Sequence, residues 1–203
     1  MSASLVSIVG PPASGKTTLA DLLGRRLGAK VIYEDFAGNP FLADSYQGQP
    51  DTLLPAQVYY LMSRAKQLAT CDWPADGIVV SDYGYLQDRV YARAKLTGAD
   101  LETYEQLAAK VDGLVVTAGV IIHLDAPVDV LRRRIARRGR GFERTFGDAF
   151  LQHLRDAYNE RASQADSKTW LRVDSGEDFR QGEVLERIET HVLAMLAGEK
   201  NER

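Results

Sequence analysis

The sequence predicts an α/β fold in which a parallel sheet of about five strands is flanked by helices. Two observations predict it. Apolar runs of strand length alternate with segments whose apolar residues recur every three or four positions, along the whole chain. The first of those runs (Leu5, Val6, Ile8, Val9) leads directly into Gly10-Pro11-Pro12-Ala13-Ser14-Gly15-Lys16-Thr17, which fits G-x-x-x-x-G-K-[ST] and precedes a helical pattern.

That order has a physical reason. A buried strand delivers the chain to a tight loop whose backbone N–H groups cradle phosphate oxygens at a helix N-terminus, where free donors and the helix dipole both favour anions. Lys16 is placed to reach the β- and γ-phosphates, and the Thr17 hydroxyl to ligate Mg²⁺. Gly10, Ala13, Ser14, Gly15, Lys16, Thr17 and Thr18 are therefore candidate binding residues for a nucleoside triphosphate, and the fold expected is that of the P-loop NTPases.

Size and composition fit one domain over residues 1–203, with 45% hydrophobic residues to build a core. A net charge of −3 argues against a broad nucleic-acid surface. The single cysteine, Cys71, has nothing to pair with in the chain and points to a reducing cytoplasm. The first residues lack a basic segment followed by a long apolar stretch, so no signal peptide is expected. No apolar run reaches the ~18–20 residues of a membrane span, so no membrane partner is expected.

After the loop, Leu19, Leu22, Leu23 and Leu27 mark a helix that Gly28 is placed to end. Lys30 to Tyr33 reads as a short strand, and Glu34-Asp35 follows at its carboxyl end, where open parallel sheets gather ligands. Residues Phe36 to Tyr46 are turn-rich and aromatic, unlike a core element. From about Thr52 to Thr70 a helix carries Gln57 and Arg64 two turns apart on its apolar face, either as satisfied core polars and snorkelling cations or because something polar waits there.

Gly77 to Asp82 is an apolar strand ending in a carboxylate, which reads as a Mg²⁺ partner or as the N-cap of the next helix. Helices are expected from about Tyr85 to Leu96 and from Asp100 to Val116, and a strand over Val120 to Leu124, where His123 has no catalytic partner pattern. Next, Asp129 to Arg144 is dense in arginine. It fits a solvated face, a nucleic-acid patch, or a lid closing over phosphates, with Arg134 and Arg138 at i and i+4 pointing the same way. A helix over Phe150 to Tyr158, a last strand over Trp170 to Asp174, a loop at 175–179 and an amphipathic helix carrying Val184, Leu185, Ile188, Val192 and Leu196 close the chain.

Several segments together resemble the deoxynucleoside kinase family, especially its bacterial members that act on deoxyadenosine and deoxyguanosine. Glu34-Asp-Phe-Ala-Gly-Asn-Pro-Phe-Leu…Tyr46 is similar to the family's E-x-x-x-x-N-P-F-L…Y stretch, and Leu54-x-x-Gln57-x-x-Tyr60-Leu61-x-x-Arg64 to its F-x-x-Q-x-x-F-L-x-x-R helix. Arg134-Ile-x-x-Arg138-Gly-Arg140-x-x-Glu143 looks like its lid, spanning about residues 134–146, and Asp174-x-x-Glu177-Asp178-Phe179 resembles its adenine-side loop. One segment departs: most of the family has an acidic residue followed by Arg and Ser, whereas this chain reads Asp82-Tyr83-Gly84. Some bacterial relatives share this Ser-Asp-Tyr form, which reads as the mark of a subgroup.

The resemblance implies a kinase that moves the γ-phosphoryl group of ATP, with Mg²⁺, to the 5′-hydroxyl of a deoxyribonucleoside, and a homodimer. It implies catalytic roles for Glu34 as base (with Asp82 competing), Lys16, Arg134 and Arg138. Arg138, Glu177, Asp178 and Phe179 would join the phosphate loop in holding the nucleotide. Tyr46 and Glu143 would hold the 3′-hydroxyl, Gln57, Arg64 and Asp88 would read the base, Asp82 would sit by the 5′ end, and Thr17 and Asp82 would serve the metal. An Arg–Asp fork rewards polar bases and tolerates a methyl poorly, which favours purines, leaves deoxycytidine admissible and disfavours thymidine. Another P-loop small-molecule or nucleotide kinase, and a non-catalytic nucleotide-dependent switch, are the competing readings.

Overall fold

The computed structural model describes residues 3–49, 51–69, 73–176 and 178–201. Cys71 and Glu177 lie outside the described residues. Five parallel strands form one sheet: β1 (Ser4–Val9), β2 (Lys30–Ile32), β3 (Ile78–Ser81), β4 (Val120–Asp125) and β5 (Trp170–Asp174), in the order β2-β3-β1-β4-β5. Among the described residues eight α-helices flank them: α1 (Lys16–Leu27), α2 (Leu42–Tyr46), α3 (Leu53–Gln67), α4 (Leu86–Lys95), α5 (Gly98–Val111), α6 (Val128–Arg138), α7 (Asp148–Gln164) and α8 (Gly182–Asn201).

The strands read as continuous apolar runs because both faces are covered. Side chains alternate between faces along a strand. Val6 and Ile8 of β1 therefore pack with Leu19 and Leu23 of α1 and with Ile188 and Val192 of α8. Leu5 and Val9, on the other face, join Leu68 and Tyr83 in one cluster and Val90, Leu154 and Tyr158 in another. His123 is fully buried on β4, its ring 5.7 Å from that of Tyr158 and 5.8 Å from that of Trp170. Burial lowers its pKa to about 4, and neither ring nitrogen has a partner among the described residues, so it packs as a neutral ring.

Two local differences from the sequence reading have physical causes. The stretch Phe36 to Tyr46 contains α2, a helix of 5 residues, too short to show a repeat within a run of Gly, Asn, Pro and aromatic residues. The helix expected to begin at Asp100 begins at Gly98, and its end tightens into a 3₁₀ turn over Asp112–Leu114. The topology brings the ends of β1, β2 and β3 together at one edge of the sheet, where open α/β folds form crevices.

Candidate active site

The phosphate loop is fixed by the strand beneath it. At Gly10 the backbone has φ +146°, and a Cβ there would stand 2.5 Å from the Leu124 carbonyl oxygen of β4. Only glycine permits that approach. Ala13 (φ 61°) and Gly15 (φ 104°) also take left-handed backbone, a pattern that gathers N–H groups into an anion-binding nest. Lys16 folds back over the loop, its Nζ donating to the carbonyls of Gly10 (2.9 Å) and Pro11 (3.0 Å). Burial lowers its pKa to about 8, against the pull of Glu34 and Asp82. The Ser14 hydroxyl oxygen is buried with no partner among the described residues, an orphan polar atom inside the cradle.

Beside the loop, Thr17 Oγ1 donates to Asp82 Oδ2 at 2.7 Å, and the Glu34 backbone N–H donates to Asp82 Oδ1 at 2.8 Å. Burial raises the Asp82 pKa, and these two hydrogen bonds oppose it. Among the described residues no cluster of three or more His, Cys, Asp or Glu could hold a metal. A hydroxyl and a carboxylate at a phosphate cradle nevertheless fit Mg²⁺, which keeps several waters and takes one or two protein oxygens plus phosphates.

A buried guanidinium organises the opposite end. Arg64 of α3 is 4% exposed and Asp88 of α4 is 2% exposed, so their contact, Nη1 to Oδ1 at 2.5 Å, is no surface ion pair. Arg64 also grips Glu34 through Nη2 and through Nε, the latter at 3.1 Å. Its guanidinium lies over the rings of Tyr60 (4.9 Å) and Tyr83 (5.7 Å). Burial works against the charge on Arg64, but Asp88 and Glu34 outweigh it and raise its pKa well above the usual value. Burial likewise disfavours the Glu34 carboxylate, yet Arg64, Lys16 and Arg140 hold its pKa below the usual range. Glu34 is thus an ionised acceptor at the end of β2. Burial pushes the Asp88 carboxyl up to about 6 against Arg64.

Gln57 is buried on the same helix as Arg64 and lines the cleft. Gln87 was not among the sequence candidates; its Nε2 donates to Glu34 Oε1 at 3.0 Å. The one signal for it is its place beside Asp88. Gln87 Oε1 and Asp88 Oδ2 are buried acceptors with no partner among the described residues. Tyr83 is fully buried in the core, its hydroxyl donating to Gln67 Oε1 at 2.7 Å.

The arginine-rich segment divides. Arg134 donates from Nη2 to the Ser175 carbonyl (2.5 Å) and from Nη1 to the Ser14 carbonyl (3.3 Å), so it bridges the phosphate loop and the loop after β5. Burial lowers its pKa. Arg138, although at i+4, turns instead to Glu143, pairing through Nη2 and through Nε at 3.0 Å. Glu143 is 3% exposed, on a 3₁₀ turn over Gly141–Thr145. Arg140 stands over the Phe36 ring at 4.0 Å, and Phe142 stacks on Tyr46 at 5.3 Å, so the segment is strapped to the loop after β2 by aromatic contacts. The sequence reading gives Arg140 only as part of the lid motif and Phe36 only as part of a turn-rich aromatic stretch, and it assigns Phe142 no role. Asp178 lines the cleft, and Phe179 is 5% exposed with its ring 3.1 Å from where a Cβ on Gly15 would be, so it packs under the phosphate loop.

Both ends open into one cleft of about 680 Å³, lined by Lys16, Glu34, Tyr46, Arg64, Arg138 and Glu143 among others. That volume suits a small organic ligand.

A family model described as deoxynucleoside kinase matches residues 6–196. The deoxyguanosine kinase of Bacillus subtilis (strain 168) is 30% identical over 203 residues, spanning 96% of this chain and 98% of that protein. The deoxyadenosine kinase of Dictyostelium discoideum is 32% identical over 160 residues, spanning 76% of this chain and 65% of that protein. Among solved structures, deoxyadenosine kinase from M. mycoides with the products dCMP and a flexible dCDP bound superposes with a TM-score of 0.81 at 22% identity, covering 94% of this chain and 99% of that one.

Proposed function

The chain belongs to the deoxynucleoside kinase family, and on that premise we propose that it transfers the γ-phosphoryl group of ATP to the 5′-hydroxyl of a purine deoxyribonucleoside, with deoxycytidine also accepted. The observation that carries this reading is Arg64, a buried guanidinium held between Glu34 and Asp88 in the cleft that the phosphate loop opens into. A nucleotide switch has no use for such an acceptor end. The relatives named above act on deoxyguanosine and deoxyadenosine, in keeping with a purine.

Transfer forms a bond from the nucleoside O5′ to the γ-phosphorus and breaks the bond from that phosphorus to the β–γ bridging oxygen, giving a 5′-monophosphate and ADP. Such chemistry needs in-line positioning, charge neutralisation and an acceptor for the hydroxyl proton. Glu34 takes that proton. Its lowered pKa makes it a weak base but keeps it ionised, which suffices where little negative charge has built up on the attacking oxygen. Lys16 leaves the Gly10 and Pro11 carbonyls for phosphate oxygens, and Arg134 and Arg138 meet charge that develops during transfer. Thr17 and Asp82 would hold Mg²⁺, which would supply charge neutralisation for the transferring phosphates. Asp178 and Phe179 flank the nucleotide, and Glu177 would join them. Tyr46 and Glu143 hold the 3′-hydroxyl. Gln57 presents an amide that suits either donor or acceptor edges of a base.

We further propose a cytoplasmic homodimer formed by residues 1–203 as one domain with a lid at about 134–146. No helix among the described residues is long and apolar enough to cross a membrane. Incubating the protein with labelled ATP and a panel of nucleosides tests the function. Deoxyadenosine or deoxyguanosine should give the highest kcat/KM, and thymidine as the best substrate would sink the base assignment. Sedimentation at micromolar protein should give twice the chain mass.

A further inference from the structure

Lys95 ends α4 with no hydrogen-bond or ion-pair partner among the described residues. Its Nζ stands 3.7 Å from the centroid of the Tyr46 ring and 6.0 Å from that of Tyr91. Burial lowers its pKa to about 7, so the charged form depends on what little compensates it, and a ring face within ~6 Å is a recognised partner for an ammonium. The contact is not incidental to the cleft. Asp88, Tyr91 and Lys95 fall at steps of three and four on α4, hence on one face. That face presents Asp88 to Arg64, Tyr91 to the cleft and Lys95 to Tyr46. Two further rings meet Tyr46, Phe142 at 5.3 Å and Phe146 at 5.0 Å, both in the lid segment, and it packs against the cluster that holds Leu131 and Leu151. Lys95 is thus the polar contact on the ring from the α4 side, opposite in chemistry to the aromatic contacts from the lid segment.

We propose that Lys95 is a positioning residue for sugar recognition, holding the Tyr46 ring so that its hydroxyl meets the 3′-hydroxyl of the bound nucleoside. This rests on the reading of Tyr46 and Glu143 as the 3′-hydroxyl pair. Tyr46 keeps its proton, because burial first, and then Tyr91, Tyr60, Glu34 and Glu143, raise its pKa well above the usual value. A hydroxyl used in this way is only as selective as its aim. The one helix would then set both base and sugar recognition, through Asp88 and Lys95.

The test compares kcat/KM for the best deoxynucleoside of the panel with that for its 2′,3′-dideoxy analogue, in wild type, Lys95→Met, Lys95→Arg, Tyr46→Phe and the double variant Tyr46→Phe/Lys95→Met. The expected result is a fall in the deoxy-over-dideoxy ratio by about 5–10-fold in Lys95→Met, between the sizes of an exposed and a fully desolvated cation–π contact. Lys95→Arg should retain the ratio. Adding Lys95→Met to Tyr46→Phe should lower it no further, because the hydroxyl that Lys95 aims is already gone. If Lys95→Met does not fold, Lys95→Gln is read in the same way. Equal losses on both substrates, or a further loss in the double variant, would overturn the positioning role and leave Lys95 a packing residue. A full ratio in Tyr46→Phe would overturn the Tyr46 reading itself, and the role of Lys95 with it. A reduced ratio in Tyr46→Phe alongside a full one in Lys95→Met would overturn the Lys95 role alone.

Discussion

The two ends of the cleft are built on opposite plans. At the acceptor end Arg64, Glu34 and Asp88 already hold one another, and two buried acceptors, Gln87 Oε1 and Asp88 Oδ2, are left without partners among the described residues. At the phosphate end the cations are occupied by the chain's own oxygens: Lys16 by two carbonyls, Arg134 by Ser175 and Ser14, Arg138 by Glu143. An unmet buried acceptor is costly, on the order of 1–3 kcal/mol, so the acceptor end favours a ligand that supplies donors. The cations of the phosphate end exchange contacts rather than gaining them, while the Ser14 hydroxyl beside them is also unmet among the described residues. On the proposed reading, selectivity for the nucleoside would rest on the first end and neutralisation of transferring charge on the second. Arg138 and Glu143, paired with each other in the cleft lining, join the two, and on the proposed reading a nucleoside that engaged Glu143 would loosen that pair.

Substitutions that separate the ends test this contrast, beginning with the largest effect. Glu34→Gln keeps the shape of the acceptor end and removes its proton acceptor, so kcat should fall by roughly 10²-fold or more. Near-normal turnover in a stopped assay would move the role to Asp82. Arg138→Ala, at the phosphate end, should lower kcat by roughly 10- to 100-fold and change nucleoside affinity little. Rapid-quench kinetics beside nucleoside titration reads both. A variant with full activity, together with salt-sensitive binding of wild type to DNA or RNA, would instead favour the nucleic-acid reading of the arginine segment.

Arg64→Met with Asp88→Ala should do the reverse, flattening the order of kcat/KM among the four deoxynucleosides by about 10-fold or more toward thymidine. Retention of the purine order would place base reading elsewhere. The smallest effect is one of pH. With its pKa at about 6, Asp88 is ionised above that value, so kcat/KM should rise through pH 6 and fall again through about 8, where Lys16 loses its charge. Glu34, held below the usual range, adds no limb there. Asp88→Asn should abolish the rise. The sign for stability is opposite: a carboxyl raised from 3.8 to about 6 by burial makes the folded state more stable as pH falls through 6 toward 3.8. Thermal unfolding across that window checks it.

The sheet was legible because β1, β3 and β4 are apolar runs that each end beside a chemically distinct residue. α2 was not, since five residues cannot display a helical period. At the site, the loop at Gly10 to Thr17 carries its own chemistry at a fixed spacing. Arg64 and Asp88 do not; they stand on separate helices, and only the family resemblance put them together. Self-pairing of the kind Arg138 makes with Glu143 leaves no mark on a sequence, because either residue could serve a phosphate or a sugar with the same spacing. Nor does Lys95 on Tyr46, a contact between helices 49 positions apart in the chain.

Tyr83 and Gly84 limit what else can stand at their positions. Tyr83 is wholly enclosed and its ring lies 5.7 Å from the Arg64 guanidinium, so an arginine there would bury a second cation against the first. A Cβ at Gly84 would stand 2.5 Å from Val9 Cγ1, on the strand that carries the phosphate loop. Neither an arginine at 83 nor a serine at 84 fits alone without displacing Val9 or crowding Arg64, so the interior couples these two positions to the strand of the phosphate loop and to the buried guanidinium.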